Sequence, residues 1–360
     1  MKNRIFLLYG GKSAEHEVSL STARAVTHAL DFDRYEVTPV FITPEGEWRP
    51  GPLLEGPAGH VTDLMIGENG TDAPARLTDG IAALAAQTPE APPVVIPLLH
   101  GPNGEDGTVQ GLLEVLDLPY VGNGVLASAA GMDKVIMKQL FAQAGLNQVP
   151  YVHFIRSEWN KNRDGILDES ESRLGWPVFV KPANLGSSVG ISKASGRESL
   201  IEAIEEALRY DRKVIIEQGV DAREIEMALL GNDEPKCSVV GEISSASDFY
   251  DYESKYMDGN TVLTIPADVP EKAAEEMERA AKAAFKVLDC SGLVRADFFL
   301  TMEGDVLINE VNTMPGFTPT SMFPLLWQNS GLPYPELLEE LIRLALERYQ
   351  EKQSLNTNKD

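Results

Sequence analysis

The stretch GLVRADFFLTMEGDVLINEVN, residues 292–312, interrupts two runs of Val, Leu, Ile and Phe with Arg295, Asp297, Glu310 and Asn312. TMEG between the runs reads as a turn, so the runs read as two antiparallel strands. With the turn centred on Glu303–Gly304, Asp297 faces Glu310 and Arg295 faces Asn312. The strand period of two puts Arg295 and Asp297 on one face, and Glu310 and Asn312 on one face. The outcome is an Asp/Glu/Asn oxygen cluster beside a guanidinium. Hard oxygen ligands of this kind suit Mg²⁺ bridging nucleotide phosphates. The alternative is a surface ion-pair ladder. Against it, charge set into such apolar strands is costly to bury unpaired.

The composition bounds what such a cluster can serve. A chain of 360 residues exceeds one ordinary core, so two or three domains are expected. Hydrophobic content of 43% and charged content of 24% are those of a soluble globular protein. With 31 basic and 55 acidic residues the formal charge is −24. That argues against a nucleic-acid partner, which needs a basic patch. Any phosphate site must be assembled locally from lysines, arginines and backbone amides. Cys237 and Cys290 form no disulfide framework and lack metal-ligand spacing, so they read as buried free thiols in a reducing compartment. The apolar run in MKNRIFLLYGG is too short for a signal h-region or a membrane span, and no other stretch is long enough. A cytoplasmic protein without a membrane partner is expected.

Organisation follows from periodicity. RIFLLYGG (4–11), YEVTPVFIT (35–43) and VVIPLLHG (94–101) read as strands. A helix over about 17–30, another near 81–87 and a helix with a short strand in EDGTVQGLLEVLDLPYVG alternate with them. This alternation predicts an open, mostly parallel sheet whose ligands collect beyond the strands' carboxyl ends, at loops 10–16 and 100–108. A second unit starts near Gly122, with a helix over 133–146, strands in VPYVHFI, PVFVKP and KVIIEQ, and an amphipathic helix in RESLIEAIEEALRYD. Residues 156–173 read as a polar surface excursion. The third unit has strands in REIEMALLG and CSVVGEI, an irregular loop over 244–260, a helix over 270–288, the hairpin and a helix over about 334–350. The division expected is 1–122, 123–217 and 218–350, with a disordered tail over 351–360.

Other motifs are weaker alone. YGGKSAEHE fails as a phosphate-binding G-x-x-x-x-G-K-S loop because Phe6 occupies the first glycine position. GNGVLA (122–127) matches G-x-G-x-x-A but lacks the acidic residue about twenty positions on. KPANLGSSVGISKA (181–194) offers Lys181 and amides of small residues to a phosphate, yet by itself reads first as a hairpin turn. NTMPGFTPTSM (312–322) is a loop whose amides suit a carboxylate or an oxyanion, or an ordinary connection. In EQGVDAREIE (217–226), Glu217 and Glu224 suit adenine and ribose, with solvated charge as the default. DYESKY places Lys255 and Tyr256 on a loop, where they suit a lid over phosphates. His100 closes a strand at the ligand edge and is equally consistent with a structural role. Glu15, starting the first helix, suits a substrate ammonium or only the helix dipole.

Together these motifs resemble the D-alanine–D-alanine ligases of the ATP-grasp superfamily. The resemblance is carried by Lys181 with Gly186–Gly190, Asp251–Tyr256, Arg295–Asp297, and Glu310–Thr313 with Pro315–Gly316, and by GGKSAEHEVSL and HGPNGEDGTVQG. It runs in order from about residue 4 to 345, leaving out 44–92 and 156–173. It implies three α/β domains, an N-terminal open sheet and two α+β domains that sandwich ATP, and formation of D-alanyl-D-alanine for peptidoglycan through a D-alanyl phosphate. It also implies a homodimer. By this likeness Lys134, Lys181 and Lys255 hold phosphates. Glu217, Gln218, Val220, Glu224 and Phe299 line the nucleotide pocket. Asp297, Glu310 and Asn312 bind two Mg²⁺ or Mn²⁺ ions. Glu15, Val18 and His100 meet the first D-alanine, while Ser321 and the Met322 amide meet the second. Glu15, Ser187 and Tyr256 form a hydrogen-bonded set, and Arg295 with the Gly316 amide stabilises the oxyanion. Met322 stands where some relatives carry leucine, and a backbone contact tolerates this. Similar ligases that use D-lactate lack the tyrosine matching Tyr256, so its presence favours D-alanine. The alternatives are such a depsipeptide ligase and a non-catalytic nucleotide-binding module.

Overall fold

A computed structural model describes residues 2–67, 77–85, 92–245 and 261–355. Three sheets follow one another along the chain. The first joins β1 (Asn3–Gly10), β2 (Tyr35–Ile42), β3 (Trp48–Pro50) and β4 (Val94–Leu98) in the order β3-β2-β1-β4. β1 is parallel to both β2 and β4, and only the short β3 is antiparallel. The near-continuous apolar strands expected here are those of a sheet covered on both faces. Helix α1 (His16–Ala29) crosses back from β1, and Ser19 fastens it. The Ser19 hydroxyl accepts from the Gly10 amide and donates to the Leu98 carbonyl, tying the carboxyl ends of β1 and β4 together. Helices α2 (Leu77–Ala85) and α3 (Thr108–Val115) lie near the expected positions.

The GNGVLA stretch is a joint rather than a dinucleotide turn. The Asn123 amide group donates to the Leu293 and Thr313 carbonyls, and its oxygen accepts from the Ser291 amide. Helix α4 (Val125–Met132), which the sequence reading did not separate, follows it and leads into α5 (Lys134–Gln143). Asp133 caps α5 by accepting from the Val135 and Ile136 amides.

The second sheet is antiparallel, with β5 (Tyr151–Ile155), β6 (Val178–Pro182), β7 (Ser192–Ala194) and β8 (Lys213–Gln218) in the order β5-β8-β6-β7. Residues 156–173 are not a surface excursion. They form α6 (Arg156–Lys161) and most of α7 (Arg163–Leu174), which bury Trp159, Ile166, Leu167 and Leu174. Few apolar residues suffice because α8 (Arg197–Tyr210) completes the same layer, with Leu200, Ile204 and Leu208 against Val178, Val180, Val214 and Ile216. The opposite face of this sheet carries Lys181, Ile215 and Glu217.

The third sheet has the order β11-β10-β9-β12-β13, from β9 (Ala222–Gly231), β10 (Lys236–Ser245), β11 (Thr261–Thr264), β12 (Gly292–Thr301) and β13 (Val306–Asn312). Helix α9 (Glu271–Val287) covers one face together with α4 and α5. Asp297 pairs with Glu310 and Arg295 with Asn312, as the turn predicts. The route differs, however. Nearer the turn Phe298 pairs with Ile308, one residue out of that register, and a bulge at Asn309 restores it. Helices α10 (Met322–Asn329) and α11 (Tyr334–Ser354) return to the first sheet. α11 is helical to Ser354, so residues 351–354 are not a disordered tail.

Candidate active site

Three loops converge beyond the carboxyl ends of β1, β4 and β6. Glu15 stands at the N-terminus of α1, and its Oε1 accepts from the Ser187 hydroxyl of the loop after β6. Ser187 and Ser188 have φ of 52° and 58°, a left-handed pair costly for residues with a Cβ. The loop joins β6 to the antiparallel β7, and Gly190 closes it where a Cβ would lie 2.7 Å from Tyr210 and 2.9 Å from Pro182. His100 is buried, and its Nδ1 lies 3.3 Å from Glu105 Oε1. Burial alone would lower the His100 pKa, but the bond and charge of Glu105, with the charge of Glu15, outweigh it and raise it. Val18 lies partly buried on α1, one turn beyond Glu15.

The inner face of the second sheet carries a buried charge chain. Lys181 Nζ is 2.5 Å from Glu217 Oε2, and Lys138 Nζ is 2.9 Å from Glu217 Oε1. Glu217 is 3% and Lys138 1% exposed. Burial pushes the Glu217 carboxyl up, yet the two ammonium groups outweigh that and bring it down to about 2. Lys134 donates to the Leu185 carbonyl at 3.1 Å and lies 3.3 Å from Glu310 Oε2. It thus joins the glycine-serine loop to the hairpin. The Gln218 side chain points elsewhere, donating to the Leu174 carbonyl. Val220 lies in the link to β9, and Glu224, exposed on β9, pairs in register with Phe299.

On the hairpin, Arg295 forks onto Asp297, with Nε to Oδ1 and Nη2 to Oδ2 both at 2.7 Å. Asn312 Nδ2 donates to Asp297 Oδ2 at 2.8 Å, so the amide meets this carboxylate through its nitrogen and not its oxygen. Burial would lower the Arg295 pKa, but Asp297, Glu226 and Glu310 outweigh it and hold the guanidinium charged. Gly316 lies against Ser321, whose Oγ would be 3.1 Å from a Cβ added at the glycine. The Ser321 hydroxyl is 2.8 Å from that of Thr318, and Met322 is buried at the first position of α10. Lys255 and Tyr256 lie outside the described residues, with all of 246–260.

Two family models cover this chain: the D-ala D-ala ligase N-terminus over residues 4–123 and the D-ala D-ala ligase C-terminus over 140–343. The chain belongs to the D-alanine–D-alanine ligase family. It is 59% identical over 356 residues to a D-alanine–D-alanine ligase of Bacillus cytotoxicus, covering 98% of each chain. It is 55% identical to the enzyme of that name from Listeria innocua, covering 99% of this chain and 98% of the other. Among solved structures, the D-alanine–D-alanine ligase of Coxiella burnetii is 35% identical with a TM-score of 0.81, over 98% of this chain and 97% of that one. The VanG D-Ala:D-Ser ligase of Enterococcus faecalis is 34% identical with a TM-score of 0.83, over 96% and 100%. The fold is the mixed α/β ATP-grasp arrangement of these ligases.

Within this ligase-family site the oxygen donors suit a hard divalent cation: two carboxylates and an amide oxygen on one hairpin face. Among the described residues no three His, Cys, Asp or Glu side chains are already gathered as a cage. Arg295 and Lys134 supply the counter-charge instead. Sequence reasoning missed Lys138, Glu226 and Ser19. Glu226 was open to discovery, since it follows Glu224 at the strand period. Lys138 follows Lys134 by one helical turn, but only the packing of α5 between two sheets explains why it is buried.

Proposed function

We propose that this protein joins two D-alanine molecules into D-alanyl-D-alanine, with ATP converted to ADP and phosphate, for peptidoglycan precursor synthesis. The observation that carries the reading is the Lys134–Glu310 ion pair, which brings the phosphate side of the site to the Arg295 hairpin. A carboxylate is a poor acyl donor because oxide is a poor leaving group. Transfer of the γ-phosphoryl group gives a D-alanyl phosphate, from which phosphate departs. Lys134, Lys181 and Lys255 hold the phosphates, while Glu217, Gln218, Val220, Glu224 and Phe299 form the nucleotide pocket. Two Mg²⁺ or Mn²⁺ ions held by Asp297, Glu310 and Asn312 would supply charge to the triphosphate. Glu15 receives the first ammonium near Val18 and His100. Ser321 and the Met322 amide receive the second carboxylate. The second amine attacks the acyl carbon, and Arg295 with the Gly316 amide stabilises the tetrahedral oxyanion. Glu15, Ser187 and Tyr256 close the site against water, which would hydrolyse the acyl phosphate.

The domains we assign are 1–122, 123–217 and 218–350, with β8 carrying the second sheet one residue past the second boundary, to Gln218. No helix of the described residues is long and apolar enough to cross a membrane. We assign the cytoplasm as its compartment and a homodimer as its assembly. The test is ADP release with D-alanine, ATP and Mg²⁺, and product analysis with D-alanine, D-serine and D-lactate in competition. D-Alanine-dependent ADP release with dipeptide as the main product is expected. Ester dominating near neutral pH would replace the reading with a depsipeptide ligase, and no ADP release would leave a nucleotide-binding module.

A further inference from the structure

Glu226 has no part in the roles set out above, yet it is 5% exposed and directly opposite Asp297 in the β9–β12 register. Its Oε2 lies 3.0 Å from Arg295 Nε, the same nitrogen that donates to Asp297 Oδ1 at 2.7 Å. One N–H cannot point well at two acceptors, and the shorter, forked contact to Asp297 prevails here. Asp297 is also a donor proposed for a divalent cation. Once its oxygens turn to a cation, the Nε edge of a buried guanidinium needs another acceptor, because an unpaired buried charge is costly. Glu226 is the carboxylate already within reach.

We propose that Glu226 is a positioning residue that takes over Arg295 Nε when Asp297 turns to the cation. This handover keeps the guanidinium plane fixed, with its outer N–H groups directed at the reacting carbonyl, and makes it easier for Asp297 to leave. It rests on the proposed roles of Arg295 and Asp297. Glu226→Gln keeps the shape but weakens the acceptor and removes its charge. Glu226→Asp keeps the charge on a shorter stem.

Mn²⁺ binding in the presence of ADP, followed by the electron paramagnetic resonance of free Mn²⁺, gives a readout independent of turnover. Glu226→Gln should weaken Mn²⁺ about fivefold to tenfold and lower kcat at least tenfold, with KM for D-alanine within twofold; Glu226→Asp should recover most of both. In an Arg295→Met background, Glu226→Gln should change Mn²⁺ affinity less than twofold, since no handover remains. A through-space charge effect alone would keep its full size in that background and would overturn the proposal. So would wild-type kcat and Mn²⁺ affinity in Glu226→Gln when Arg295→Met is inactive. Full turnover in Arg295→Met would instead remove the site reading on which the handover stands.

Discussion

At the level of single residues, the hairpin carboxylate makes the sharpest claim. Glu310→Gln keeps the volume and the bulge while removing a charged oxygen donor. Turnover should fall by about a thousandfold or more, the scale of several kcal/mol of charge stabilisation. The thermal midpoint should stay close to that of the unaltered protein, and wild-type rates would remove the metal assignment. Glu217 makes a claim about pH. Its carboxyl is held at about 2 in the folded protein, against an ordinary value of 4.5. The folded state therefore binds this proton less readily than the unfolded chain. The stabilisation is present above about pH 4.5 and is lost as pH falls toward 2. Urea unfolding across that window should show a loss of stability that is smaller in Glu217→Gln. Lys138→Met should cost less than the roughly 3–5 kcal/mol of a broken buried pair, because Lys181 still faces Glu217.

Among the strands and helices, the hairpin was legible because charged residues inside apolar strands need a partner, and strand period then names it. Its turn was misplaced by one residue, and the Asn309 bulge brought Asp297 and Glu310 back opposite each other. Bulges leave little trace in a single sequence, so the pairing was reached through two compensating shifts. The 156–173 region was misread because three large apolar side chains among many charges look solvated until α8 is laid beside them. Lys138 was invisible for a related reason: it matters only because Glu217 reaches it from a strand distant in sequence. Ser19 shows what one buried hydroxyl contributes to an element. Ser19→Ala strips partners from the Gly10 amide and the Leu98 carbonyl and should cost about 1–3 kcal/mol by urea unfolding. An unchanged midpoint would show that the two strand ends are fastened by packing instead.

Across the whole molecule, the joint at residues 120–123 ties the first sheet to the third. Arg348 donates to the carbonyls of Gly122 and Tyr120 and to the Ser291 hydroxyl, and its guanidinium lies 4.4 Å from the Tyr120 ring centroid. Burial lowers the pKa of this arginine, so its partners matter. Arg348→Met leaves those carbonyls short of a donor. Calorimetry should then resolve two unfolding steps where the unaltered protein shows one. A single transition in the variant would mean that the apolar contacts alone couple the sheets. Those contacts are extensive: Leu337, Leu341, Ile342 and Leu344 of α11 share one core with Ile5, Leu7, Val37 and Ile96 of the first sheet. During synthesis on the ribosome the first sheet emerges before α11, and the part of its oily face not met by Leu20, Ala23 and Val26 of α1 waits for that helix. A nascent chain halted at residue 333 would keep that part open, as a binding surface for holding chaperones.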